Sequence, residues 1–205
     1  MKYDFIEIGT SDFTTLIEKA NDKTIGLSIE PIKQYLDNLP NKPKVTKANY
    51  AVSDKKGKAN IYYISPQDIK KHKLPEWVKG CNSINQPHPT VKKMLGERYE
   101  IISTVSEVEV ITWKDIIAMY EVEGINTLQI DAEGHDHIIL EDYFKECKLL
   151  PSILANTIVF EYNELANKAI LDNIIFKFEK LGYIGKRIDE GNYGLYKQRE
   201  FLDAI

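Results

Sequence analysis

The densest cluster of titratable groups in this chain is Asp131-Ala132-Glu133-Gly134-His135-Asp136. An acid or a histidine there suits removal of a proton from a hydroxyl, and a carboxylate suits a neighbouring cation. His135 and Glu133 are the candidate bases, and Asp131 is the candidate charge beside the reacting group. A plainer role competes, in which Gly134-His135-Asp136 starts a helix with Asp136 as its N-cap. The spacing of Asp131 and Asp136 also permits a divalent ion with one outside ligand. Nothing requires such an ion, and no metal is expected. Further acids stand where strands are predicted to end: Glu7 just before Gly9-Thr10-Ser11-Asp12, then Glu30, Asp54 and Glu161. Collected on one edge of a sheet, they favour a ligand that is cationic or rich in hydroxyls.

Gly9 followed about 20 residues later by an acid, Glu30, has the spacing of a nucleoside site in which a carboxylate accepts from ribose hydroxyls. Nicotinamide dinucleotides use the same device, but their pyrophosphate needs a Gly-x-Gly-x-x-Gly loop for close backbone approach. Here the next glycine after Gly9 is Gly26, and Asp12 in the loop would repel a pyrophosphate. S-adenosylmethionine has no phosphate and carries a sulfonium cation, so an acidic loop suits it. The residues therefore favour this methyl donor.

These groups need strands to aim them. Phe5–Gly9 reads as a short buried strand, 14–21 as a helix, and 24–31 as a second strand stopped by Pro31. A short helix over 33–39, a third strand over 44–52, a turn at 54–57 and a strand over 59–64 follow. Residues from about 65 to 104 hold Pro66, Pro75, Pro87 and Pro89 and no sustained periodicity. They read as an irregular insertion over a site, within one domain spanning 1–205. In it, Asn82, Ser83 and His88 line an acceptor pocket if the insertion closes; otherwise His88 reads as a surface residue and Trp77 as packing. Strands at 108–111, 127–131 and 157–162 then alternate with helices at 113–121, 137–149 and 166–181. A hairpin over 183–188 and 193–196 closes the chain. The alternation predicts an α/β fold, a mostly parallel sheet with helices on both faces and a C-terminal antiparallel hairpin.

Composition removes several classes. The 205 residues are 43% hydrophobic and 28% charged, with a formal net charge of -4, which disfavours a nucleic-acid or acidic-membrane binder. Two distant cysteines, Cys81 and Cys147, form no disulfide framework or Cys-x-x-Cys site. No apolar run is long enough to cross a bilayer and no signal peptide is evident, so a cytoplasmic location is expected.

Four blocks occur in order: Phe5-Ile6-Glu7-Ile8-Gly9-Thr10, Ile29-Glu30-Pro31, Ala51-Val52-Ser53-Asp54-Lys55-Lys56-Gly57, and Ile130-Asp131-Ala132-Glu133-Gly134-His135-Asp136. Together they resemble the FkbM family of methyltransferases, and the last block is the most specific. Phe160-Glu161-Tyr162 and Gly80-Cys81-Asn82-Ser83 resemble later segments of the same family. The resemblance implies a class I methyltransferase, Rossmann-like fold with a seven-stranded sheet whose last strand is antiparallel. It implies S-adenosylmethionine-dependent O-methylation of a sugar or another small hydroxylated molecule. Glu7 and Gly9, with Thr10 and Ser11, would line the methionine end of the donor. Glu30 with Pro31 would meet the ribose, Ala51 and Val52 would border the adenine, and Asp131 would lie near the sulfonium. The family's first loop usually reads Gly-Ala-Asn-x-Gly; here it is Gly9-Thr10-Ser11-Asp12-Phe13, which lacks the second glycine. That departure favours one alternative, a non-catalytic relative that keeps the fold as a binding or assembly module.

Overall fold

The computed structural model describes residues 1–11, 15–84 and 86–198. Asp12 and the predicted start of the first helix at Thr14 lie outside them. β1 (Lys2–Ile8) leads to α1 (Leu16–Lys19), β2 (Gly26–Ile29), α2 (Lys33–Asn38) and β3 (Val45–Ala48). β4 (Ala51–Val52) and β5 (Gly57–Ile64) follow, then α3 (Pro66–Lys71), a 3-10 turn (Glu76–Lys79), β6 (Ser83–Ile84), α4 (Pro89–Leu95) and α5 (Tyr99–Ile102). The remainder runs β7 (Ser103–Ile111), α6 (Trp113–Met119), β8 (Gly124–Ile130), α7 (Asp136–Leu149) and β9 (Thr157–Glu161). It ends with α8 (Lys168–Glu179), β10 (Tyr183–Arg187) and β11 (Asn192–Lys197).

Seven strands form one sheet in the order β10-β11-β9-β8-β1-β2-β3. All neighbours pair in parallel except β11, which is antiparallel to both β9 and β10. The predicted mostly parallel sheet and its terminal hairpin are both present. β2 is buried along its whole length, as expected of a strand covered on two faces. Side chains alternate across the sheet, so Phe5 joins Ile17, Leu36 and Leu39 beneath α1 and α2. Ile6 and Ile8 point the other way, into the larger core with Trp113, Ile139, Tyr143 and Phe178 from α6, α7 and α8. Helices thus cover both faces. No helix among the described residues is long and apolar enough to cross a membrane.

Two expectations change. The stretch 44–52 is not one strand: the chain leaves the large sheet after Ala48, and Ala51-Val52 pairs with β7 instead. Asn49 fixes the departure by donating its side-chain amide to the carbonyls of Glu30 and Pro31, at 2.9 Å each. Strands β4-β7-β5-β6 make a second sheet, in which β5 and β7 pair antiparallel over eight positions. The region 65–104 is also more ordered than its sequence suggests. Its short helices gather Ile64, Ile69, Val78, Val91, Leu95, Tyr99 and Ile102 into a separate core. Helices of four to seven residues bury one or two side chains each, too few to display a period.

Candidate active site

The strand order reverses between β1 and β8, whose last residues, Ile8 and Ile130, lie side by side. Such a reversal opens a crevice at the carboxyl ends of parallel strands. Gly9 makes the closure possible. Its φ is +78°, and a Cβ there would lie 1.8 Å from the Asp131 carbonyl oxygen. The Gly9 amide donates to Ile29 O at 3.0 Å and the Asp131 amide to Ile8 O at 2.9 Å, joining the ends of β1, β2 and β8.

In the loop that follows, Ser11 takes the left-handed conformation, with φ +45°. Glu30 holds it there: one carboxylate oxygen accepts from the Ser11 amide and the other from the Ile32 amide, both at 2.8 Å. Burial pushes the Glu30 carboxyl up to about 7, against the opposing pull of those amides. Glu7 is tied down in the same way. It accepts from the Leu16 amide at 2.6 Å, the Ile17 amide at 3.1 Å and the Ser28 hydroxyl at 2.6 Å, and so caps α1 from β1. Burial raises its carboxyl as well.

A cleft of about 510 Å³, open to solvent, lies over these strand ends. Of the residues predicted to meet a donor, Gly9, Ser11, Glu30, Pro31, Ala51, Val52 and Asp131 line it. Glu7 and Thr10 instead line an adjoining cleft, which shares Gly9, Ser11 and Asp131. The insertion closes over the first cleft through Gly80, Asn82 and Ile84. Asn82 is tethered to the glycine loop, its amide donating to Ser11 Oγ at 3.2 Å and Lys79 O at 2.8 Å. Its Oδ1 is buried without a partner.

Beyond the cleft floor the carboxylates of Asp131, Glu133 and Glu161 bring oxygens within 4.8 Å of one another. Asp131 reaches solvent at the cleft mouth, yet protein surrounds most of its carboxyl, and the lost water pushes it up to about 6. Glu133 is pushed to about 8 by burial and then by Asp131. Glu161 goes to about 9, by burial and then by Glu133, Asp136 and Asp131. Like charges this close in a poorly hydrated site favour retained protons. Glu133 itself has φ +49°, a left-handed conformation that costs energy outside glycine.

The two histidines lie on either side of this carboxylate group. His135 is the N-cap residue of α7, and its Nε2 lies 3.0 Å from Ser53 Oγ. Burial, then the neighbouring His137, lowers it to about 4. Asp136 is therefore the first helical residue and not the cap. Fully buried, it accepts from the Ala132 amide at 3.1 Å and the Glu161 amide at 3.0 Å, fastening the ends of β8 and β9 together. His88 is not a surface residue: it is 4% exposed, and its Nε2 lies 3.0 Å from Glu133 Oε2. Trp77, expected to pack, is 45% exposed. Glu161 was legible as a strand-end acid, but only the β8–β9 pairing shows that it joins the Asp131 and Glu133 group.

A mostly parallel sheet with its crevice at the strand reversal, an acid after the second strand and a carboxylate group after the fourth in chain order of that sheet make this an α/β protein of the open, twisted-sheet class. The Methyltransferase FkbM domain matches residues 5–184, and the chain belongs to this family of methyltransferases. No curated protein matches the chain.

Proposed function

We propose that this protein is an S-adenosylmethionine-dependent O-methyltransferase of the class I, Rossmann-like type, acting on a hydroxyl of a sugar or another small molecule. The sheet order supports the class. Counted within the large sheet, the strands run 3-2-1-4-5-7-6, with the seventh antiparallel.

The observation that carries the donor assignment is the chemistry of the cleft. Among the described residues no lysine or arginine lines it, so a pyrophosphate would meet no cationic side chain, whereas Glu30 and Asp131 suit ribose hydroxyls and a cation. The orphaned Asn82 Oδ1 offers an acceptor to a ligand N–H or O–H. Glu30 accepts from the Ser11, Ile32 and Thr10 amides, and its remaining acceptor capacity is offered to the ribose. Ala51, Val52 and Pro31 give the adenine an apolar seat.

When bound, the donor supplies an electrophilic methyl group on a sulfonium. Asp131 places its negative charge beside that position and takes the proton of the attacking hydroxyl. No described side chain or amide donates a hydrogen bond to its carboxylate, whereas Glu133 is engaged by His88 and His135 by Ser53. The acceptor enters through a recess that Ser83, Gln86 and Pro89 of the insertion form with Glu133, His135 and Glu164. Incubation with methyl-labelled donor and a panel of sugars and polyols tests the reaction type. Label in a methyl ether is the expected result, and a product methylated on nitrogen or on a carboxylate overturns the hydroxyl assignment.

A further inference from the structure

Cys81 follows the 3-10 turn, His88 precedes α4, and Glu133 sits between β8 and α7. The fold gathers these distant residues so that a sulfur, an imidazole nitrogen and a carboxylate oxygen all lie within 4.8 Å of one another. Several features single this cluster out. His88 is almost fully enclosed, and among the described residues its one side-chain hydrogen-bond partner is Glu133, whose Oε2 lies 3.0 Å from Nε2. Cys81 is a free thiol whose hydrogen-bond contact, with Trp77 O, is long at 3.7 Å.

We infer that Cys81, His88 and Glu133 form a binding site for one zinc-class transition-metal ion, which fastens the 65–104 insertion to the loop between β8 and α7. Bonds of about 2.3 Å to sulfur and 2.0–2.2 Å to nitrogen or oxygen, at tetrahedral angles, set ligand atoms roughly 3.3–3.6 Å apart. The 3.0 Å between His88 Nε2 and Glu133 Oε2 must open slightly, and the sulfur, within 4.8 Å of its partners, must draw in for all three to reach that spacing. One thiolate, one imidazole and one carboxylate select zinc or cobalt over magnesium or calcium, which prefer oxygen alone. Binding releases the Cys81 thiol proton to solvent and changes no oxidation state; a water completes the fourth position. The neighbouring Asp131, Glu133 and Glu161 group is all oxygen and would hold a different kind of ion. The inference does not depend on the proposed methyl transfer, because no methyl donor enters it.

The test uses the full chain, stripped of metal by a chelator and titrated with Co²⁺ and then Zn²⁺ without any donor. One equivalent of cobalt is expected to give thiolate-to-cobalt charge-transfer absorption in the near ultraviolet, abolished when zinc displaces it. Cys81→Ser removes that absorption and weakens zinc binding at least about tenfold, His88→Gln weakens it similarly, and Cys147→Ser changes neither. Alkylation of Cys81 in the wild-type chain is followed in parallel, independently of how any variant folds, and stoichiometric zinc is expected to slow it. Absence of the charge-transfer band in the folded wild type, an unchanged band in Cys81→Ser, or no protection of Cys81 by zinc would each overturn the assignment.

Discussion

Replacing Gly9 by alanine tests the close approach on which the cleft depends. Two costs combine. An L-residue in the left-handed region loses roughly 1–2 kcal/mol. The new Cβ would also lie 1.8 Å from the Asp131 carbonyl oxygen and 2.8 Å from its carbon, where real Cβ contacts essentially never fall below 3.0 Å. The ends of β1 and β8 must then separate, which strains or breaks the Asp131 amide bond to Ile8 O. Overpacking of this kind costs about 1–3 kcal/mol, and the lost hydrogen bond about 1 more, giving about 3–6 kcal/mol in all. Gly182 supplies the control. Its φ is +86°, but nothing lies within 4 Å of its would-be Cβ, so Gly182→Ala carries the conformational cost alone, about 1–2 kcal/mol. Urea unfolding of the two variants against wild type, followed by circular dichroism, measures the difference. If Gly9→Ala is no less stable than Gly182→Ala, the steric argument fails.

Two further effects follow from the buried carboxylates. Glu7→Ala leaves the Leu16 and Ile17 amides and the Ser28 hydroxyl without their acceptor. It is expected to cost about 2–4 kcal/mol in urea unfolding, and a loss below 0.5 kcal/mol would show that water replaces the carboxylate. Glu30 has its folded-state pKa raised from 4.5 to about 7, so the folded chain holds a proton there that the unfolded chain has lost. Its contribution to stability is complete below about 4.5 and declines as pH rises to about 7. Glu30→Gln should therefore show a shallower fall in melting temperature across that window than wild type, and parallel curves would contradict the raised pKa.

How much of this was legible depended on whether a signal was local. The strand ends at Gly9, Glu30 and Asp131 could be read because each closes a short apolar run, and parallel strands place those ends together. The division of 44–52 was not legible, because both halves are good strand sequence and only the Asn49 bonds to Glu30 and Pro31 send them to different sheets. His88 lies between two prolines in a stretch without periodicity, and its partner Glu133 is 45 residues away. Glu7 and Glu30 were legible as important acids, but sequence alone does not reveal that their oxygens already serve backbone amides of the loops they anchor. Asp136 was misread as a cap because helix starts shift easily by one residue, and its distant partner, the Glu161 amide, cannot be read locally.

The account turns on a donor site in which Asp131 faces a sulfonium. S-adenosylmethionine carries that charge and S-adenosylhomocysteine does not, so calorimetric titration of both into wild type and Asp131→Asn tests the claim most directly. Wild type is expected to bind each with one-to-one stoichiometry. Asp131→Asn should lose about tenfold or more in affinity for S-adenosylmethionine, from the missing charge pair, while binding S-adenosylhomocysteine nearly as before. A folded wild-type chain that binds neither ligand, or a variant that weakens both equally, would contradict it.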